Sequence, residues 1–287
     1  MVKPRLRVSI SGGRTSAYMS AMIKQYLSDQ YELLFLFANT SCEDPRTLRF
    51  LNDVDRHFNL GIVWLEAEVH YDARKSCGHR VVTYETAKRN GEVFDAVVQK
   101  YGLPNKTFKL CTRELKTNPM ASYARSVGWT LGSYETAIGI RMDEMRRVNA
   151  TVAAAERIIY PLIDWFPTDK SDVLAYFEQF DWDLDIEEHE GNCVWCYKKS
   201  DKKLHRLSVE RPEVFEFPMR LDDLYRNVGP NNVPGPRKMF RGYRDTRALL
   251  ASFSDAEVRP LSQMEGSCSE SCEVYETEES AEEEILW

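Results

Sequence analysis

The stretch VSISGGRTSAYM, residues 8–19, decides how this chain is read. Leu6, Val8 and Ile10 alternate with polar neighbours as a short strand does. Ala17, Tyr18, Ala21, Met22 and Tyr26 then recur at helical spacing. Between the two, Gly12-Gly13 permits a tight turn. A strand that turns on two glycines into a helix presents unpaired backbone N–H groups at the positive end of the helix dipole, and that arrangement holds phosphate. It also serves as an ordinary βα turn, so the rest of the chain has to decide between the two.

Working outward, LLFLFAN (33–39) is an apolar run short enough for a buried strand. DPRTLRFLNDVDRHF (44–58) opens on the helix-start pair Asp44-Pro45, and GIVWLEAE (61–68) reads as a third strand. Residues 70–120 break the rhythm with a polar region, a helix expected around 81–100 and the loop LPNKTFKLCTRELKTNP (103–119). The alternation returns with strands at ETAIGIR (135–141) and RIIYPLIDW (157–165), then a capped helix in DKSDVLAYFEQF (169–180). Strands separated by helices predict an α/β fold, a doubly wound parallel sheet covered on both faces, over residues 1–182. A basic C-terminal appendage carrying a C-x-x-C follows at 183–262, and an acidic tail at 263–287. No internal repeat is present.

The 287 residues, 43% hydrophobic and 29% charged, suit one large domain or a domain plus an appendage. No apolar stretch approaches a membrane span, and the opening MVKPRLRVSI lacks the apolar core of a signal peptide. Seven cysteines in no disulfide-framework spacing point to a reducing compartment, so a cytoplasmic location is expected. The net charge of −7 is uneven: residues 265–287 hold nine glutamates and no Lys or Arg, leaving +2 on the first 264 residues. Such a tail reads as a disordered, solubilising segment. From Tyr197 to Arg247 there are thirteen Lys/Arg against seven Asp/Glu. There, KKSDKKLHR (198–206) and PGPRKMFRGYRDTR (234–247) interleave cations with Phe240 and Tyr243. The pattern suits nucleic acid, with phosphates on cations and bases on rings. A solvated helix face carrying Lys198, Lys199, Lys202 and Lys203 explains the lysines equally well.

In an open parallel sheet ligands bind beyond the carboxyl ends of the strands. Strand ends at Ser9-Ile10, at Ala38-Asn39-Thr40 and at Gly139-Ile140-Arg141 all lead into polar residues, which favours phosphate binding at the glycine loop. SGGRTS (11–16) resembles the PP-loop of the adenine-nucleotide alpha hydrolase-like superfamily, usually SGGxDS. NTSCEDPRT (39–47) is similar to the segment after the second strand in phosphoadenylyl-sulfate (PAPS) reductases, and GIRMDEMRR (139–147) resembles a segment those enzymes keep near the nucleotide. Together, over roughly residues 6–200, the chain resembles the PAPS-reductase-like branch of the PP-loop superfamily. The resemblance implies that Ser11, Gly12, Gly13, Arg14, Thr15 and Ser16 cradle the phosphates of ATP, adenylyl sulfate or PAPS. Asn39 and Thr40 would lie near adenine or ribose, and Arg141 and Arg146 near phosphate or sulfate. Thr15 stands where many members have Asp, which removes a carboxylate that helps hold magnesium, and Ser41 replaces the usual Gly.

Cys193 and Cys196 form a C-x-x-C, which by itself fits a metal site, a redox pair, a structural zinc or unligated thiols. A zinc site would recruit His189, Cys77 or His79. The resemblance implies a four-iron four-sulfur cluster held by Cys111, Cys193 and Cys196. Leu110 stands where cluster-containing reductases carry a further cysteine, so one iron would stay open. The implied activity is ATP-dependent adenylylation of an acceptor, in nucleic acid or a small molecule, followed by sulfur transfer from a sulfur donor. Lys116 and Arg141 would offset the developing charge. The alternative is a phosphoadenylyl-sulfate or adenylyl-sulfate reductase served by a thioredoxin-like reductant. Such a reductase normally carries a C-terminal Glu-Cys-Gly-hydrophobic-His segment, absent here, so Cys268 and Cys272 would have to attack. Flanking glutamates would suppress their thiolates. A third reading is a non-catalytic nucleotide-binding protein with a structural metal site. Partners follow from these readings: an adenine nucleotide, no membrane, and a second copy of the chain in a homodimer.

Overall fold

The computed structural model describes residues 2–71, 74–229 and 235–253; the acidic tail with Cys268 and Cys272 lies outside the described residues. The chain runs from β1 (Arg5–Ile10) through α1 (Arg14–Leu27) to β2 (Glu32–Asn39), then α2 (Pro45–Phe58) and β3 (Val63–Glu68). β4 (Gly78–Val82) and α3 (Glu92–Tyr101) follow. α4 (Leu110–Thr112) passes through a π-helical turn, Arg113–Thr117, into α5 (Asn118–Ser126). β5 (Glu135–Ala137), a 3-10 segment (Met142–Arg147), α6 (Ala150–Glu156), β6 (Ile158–Ile159), α7 (Pro161–Asp164) and α8 (Lys170–Phe177) complete the sheet-forming part. α9 (Asp201–Glu210), α10 (Glu216–Tyr225) and α11 (Thr246–Ala251) form the appendage.

One sheet of order β4-β3-β2-β1-β5-β6 results. β1 pairs in parallel with β2 and β5, with Val8 opposite both Phe35 and Ala137, and the β2–β3 and β5–β6 pairs are parallel too. β4 departs from the all-parallel expectation, since it runs antiparallel to β3 with Glu66 opposite Arg80. The fold is therefore α/β with a mostly parallel, mixed sheet. The expected helix at 81–100 begins only at Glu92, because residues 78–82 join the sheet and Ala87 N–H closes a turn onto the Thr83 carbonyl at 2.8 Å. The expected strand at 157–165 is cut to two residues, since Pro161 lacks an N–H for the ladder and starts a helical turn instead.

Side-chain alternation along β1 and β2 sorts the layers. Leu6, Val8, Ile10, Phe35 and Phe37 pack on one face with α1, α2 and α8, while Leu36 and Ala38 meet Met120 of α5 on the other. Burial on both faces is what an apolar, parallel strand run demands. The appendage has no separate core. Trp195, Tyr197, Leu204, Phe215 and Leu249 share one cluster with Val97, Leu110 and Leu115, so residues on both sides of position 182 pack together. Among the described residues no helix is long and apolar enough to cross a membrane.

Charge also links the two parts. Asp44 caps α2 by accepting from Arg46 N–H at 2.9 Å, and its carboxylate takes the Arg46 and Arg211 guanidinium groups at 2.9 and 2.6 Å. Burial alone would raise its pKa, but these donors outweigh that and hold it at about 2. Because the folded value lies below the unfolded one, the stabilisation is complete above about pH 4 and is lost as pH falls toward 2. Asp44→Asn keeps the capping oxygen and removes the charge. It is expected to lower the unfolding free energy by about 2 kcal/mol at pH 7. Urea titrations at several pH values check this, with the deficit shrinking below about pH 4.

Candidate functional site

In the strand order, β2 lies on one side of β1 and β5 on the other, so the direction of winding reverses beside β1. Open α/β sheets place their ligand crevice at such a reversal, beyond the carboxyl ends of the strands. The Ser11–Gly13 loop occupies that position. Gly12 adopts φ +87°, and a Cβ there would lie 2.7 Å from the Thr47 methyl. Gly13 is the N-cap of α1 in extended backbone with no side-chain cap, which leaves the helix start for an outside acceptor. The Ser16 hydroxyl closes the loop: it accepts from Ser11 N–H at 3.1 Å and donates to the Gly13 carbonyl at 3.0 Å.

From the β5 side, Gly139 passes so close that a Cβ would sit 3.3 Å from Ser16 Cα. Two residues later the buried Arg141 donates to Thr15 Oγ1 at 2.7 Å, with Nε and Nη2 engaged by Asp143 at 2.9 and 3.0 Å. These hydrogen bonds from Arg141 hold the Asp143 carboxyl below the usual range. Arg141 therefore positions the beginning of α1.

The loop faces a cavity of about 370 Å³, a size that suits a small molecule. Ser11, Gly12 and Gly13 form its floor, Leu174, Leu184 and Ile186 an apolar wall, and Lys170, Glu187 and Glu188 the charged part. Glu188 takes Lys203 Nζ at 2.6 Å and lies 3.5 Å from Lys170 Nζ. Burial works to raise its pKa, but Lys203 and Lys170 outweigh that and keep it below the usual range. Arg14 lines the edge while its guanidinium grips Asp183 at 2.8 and 2.9 Å.

The cysteines assemble on the appendage side of this edge. Glu43 and Cys193 form an antiparallel bridge, and Val194 N–H donates to the Cys42 carbonyl at 3.2 Å. Cys193 Sγ lies 3.3 Å from Thr40 Oγ1 and within hydrogen-bonding reach of the Cys42 thiol. Burial pushes the Cys42 thiol well up, while the Cys42 hydrogen bond, helped by the Lys116 charge, holds Cys193 down. Cys111 Sγ sits 3.3 Å from the Tyr197 hydroxyl. Cys77 lies apart beside Glu114, where burial and that carboxylate push its thiol up to about 12. His189 Nε2 is bound to Glu210 at 2.6 Å and His79 Nδ1 to Ser122 at 2.9 Å. Among the described residues no group of three or more His, Cys, Asp or Glu side chains is arranged to hold a metal ion.

No family model matches the chain. Its sequence is 30% identical over 280 residues to the uncharacterized nin region protein ORF290 of Escherichia phage lambda, covering 93% of this chain and 94% of that protein. The chain belongs to the ORF290 family. In this member, Asn39 and Thr40 end β2 as expected but are buried and satisfied internally. Asn39 donates to Glu66 and to the Lys88 carbonyl, both at 2.9 Å, and Thr40 to Glu43 at 2.7 Å. Neither lines the cavity. Arg146 is exposed, and Lys116 is buried in the π-helical turn. The basic appendage of this ORF290 relative is not the solvated lysine face: Lys199 and Lys203 are buried, and burial pushes Lys199 down to about 8. Arg244 and Arg247 pair with Asp201 and Asp223 at 2.6 and 2.7 Å. Phe240 belongs to the core, so of the two rings only Tyr243 is offered outward. Sequence reasoning missed Leu174, Leu184, Ile186 and Cys42, whose roles arise only once distant segments meet.

The loop conformation is testable by itself. Gly12→Ala combines a positive φ with contact on the Thr47 methyl and is expected to cost about 1–3 kcal/mol. In a Thr47→Ser background the methyl is gone, so chemical denaturation should show a smaller loss, the remainder being the φ term.

Proposed function

We propose that this chain is a PP-loop-type enzyme that binds an adenine nucleotide at the Ser11–Ser16 loop and transfers its adenylyl group to an acceptor oxygen. One observation carries the reading: an uncapped helix start behind a glycine turn faces a cavity with one apolar wall, at the reversal point of a mostly parallel sheet. In this reading the loop N–H groups and the α1 dipole take the β- and γ-phosphates. Lys170 at the rim adds a cation, and the faces of Leu174, Leu184 and Ile186 receive the base. The acceptor oxygen attacks the α-phosphorus and pyrophosphate departs into the donors of the loop. Adenylylation converts a poor leaving oxygen into AMP, which a sulfur nucleophile from a separate donor can then displace. Arg141 serves as a positioning residue through Thr15, since its guanidinium is already engaged. Magnesium carried in with the nucleotide finds Glu187 on the facing wall, where Thr15 leaves no carboxylate on the loop.

Calorimetric titration with ATP, AMP, adenylyl sulfate and PAPS tests the placement. ATP is expected to bind more tightly than AMP. Lys170→Gln, about half exposed in the parent, should weaken ATP about three- to tenfold without loss of stability. Gly12→Val should abolish binding. ATP affinity unchanged in both variants would refute the site, and binding confined to the sulfated nucleotides would transfer the reading to a reductase.

A further inference from the structure

We infer that Cys42 and Cys193 form a redox-active dithiol that a hydroperoxide converts to an intrachain disulfide. The two residues come from the β2–α2 connection and from the segment before α9, and are joined by backbone contacts on both strands of a short bridge. Glu43 pairs with Cys193, and Val194 N–H donates to the Cys42 carbonyl at 3.2 Å. The bridge sets the two residues on neighbouring strands, and their buried side chains interact with each other there. Thr40 spends its proton on Glu43 at 2.7 Å, which leaves its oxygen to accept from a thiol, and Cys193 Sγ is 3.3 Å away. That contact orients the Cys193 sulfur. Both are less than a tenth exposed, so only a small oxidant suits them.

The Cys193 sulfur attacks one oxygen of hydrogen peroxide, the O–O bond breaks, and a sulfenic acid and one water result. The Cys42 thiol then attacks the Cys193 sulfur, the S–O bond breaks, and a second water leaves with the Cys42 proton. Two thiols lose two electrons and peroxide takes up both. The reverse step requires an external dithiol, which thiol–disulfide exchange supplies. This inference does not depend on nucleotide binding.

The full chain, purified anaerobically, is treated with one equivalent of hydrogen peroxide, alkylated in denaturant and mapped by mass spectrometry. A cross-link between the Cys42 peptide and the peptide holding Cys193 and Cys196 is expected, and dithiothreitol should remove it. Fragmentation, together with the Cys196→Ser variant, places the second sulfur at Cys193. A Cys193–Cys196 disulfide in the parent, or no disulfide at Cys42, would overturn the inference. Iron or zinc released stoichiometrically from the parent but not from Cys193→Ser would overturn it too. Because the map is read on the unsubstituted protein, an unstable variant does not rescue it.

Discussion

The hydrogen bond from Arg141 to Thr15, with Gly139 pressed against the Ser16 backbone, joins the two halves of the sheet's carboxyl edge. The Ser16 hydroxyl and the Arg14–Asp183 pair hold the start of α1 beside it, and the β1–β5 ladder carries the reversal beneath. Everything at the site follows from this closure. The glycine turn acquires one orientation, α1 aims its first N–H groups at the cavity, and α8 can bring Lys170 and Leu174 across the gap. Glycine at 139 suits the approach, since a Cβ would sit tightly, 3.3 Å, against the Ser16 backbone.

A second constraint is the network of Asp44, Arg46, Glu190 and Arg211. It clamps the β2–α2 connection to the segment that forms the far wall of the cavity and to the end of α9. The cavity is thus built between a sheet edge and an appendage that shares its core, and Lys199 and Lys203 of that appendage are buried in the joint. Lys203 reaches from α9 to Glu188 on the cavity wall while itself buried. A cluster of cations that looks like a binding face in the sequence is here part of the masonry.

The first strand, loop and helix were legible in the sequence because their signals are local: alternation, then two glycines, then helical spacing within some twenty residues. The same holds for α2 and α8, whose caps stand beside their apolar stripes. β4 was illegible because an edge strand with a solvent-facing side, GHRVV, carries no apolar run. β5 and β6 were overextended because the apolar residues past Ala137 are buried in irregular backbone and those past Ile159 in the short helix α7, and burial without a ladder reads like a strand. At the site, the glycine loop was visible and its opposite wall was not. Leu184 and Ile186 belong to a polar, irregular stretch, and only the fold brings them over the loop. Asn39 and Thr40 stood at the right strand end, yet side-chain direction is set by Glu66 and Glu43, which no local pattern announces. Cys42 and Cys193 illustrate the same limit, being neighbours only in space.

The π-helical turn at Arg113–Thr117 bears on how this architecture can change. Such a turn holds one residue more than the α-helical ladder needs and takes it up by widening, so Leu110–Thr112 and Asn118–Ser126 stay nearly in the phase of one continuous helix. Deleting a single residue there would restore an unbroken helix with Cys111 beside Tyr197 and Met120 under the sheet. The same deletion within the α-helical part of α5 would rotate everything after it by about 100°. The wide turn is thus slack in the chain, the one place in this segment where a residue can be lost or gained without turning two cores against each other.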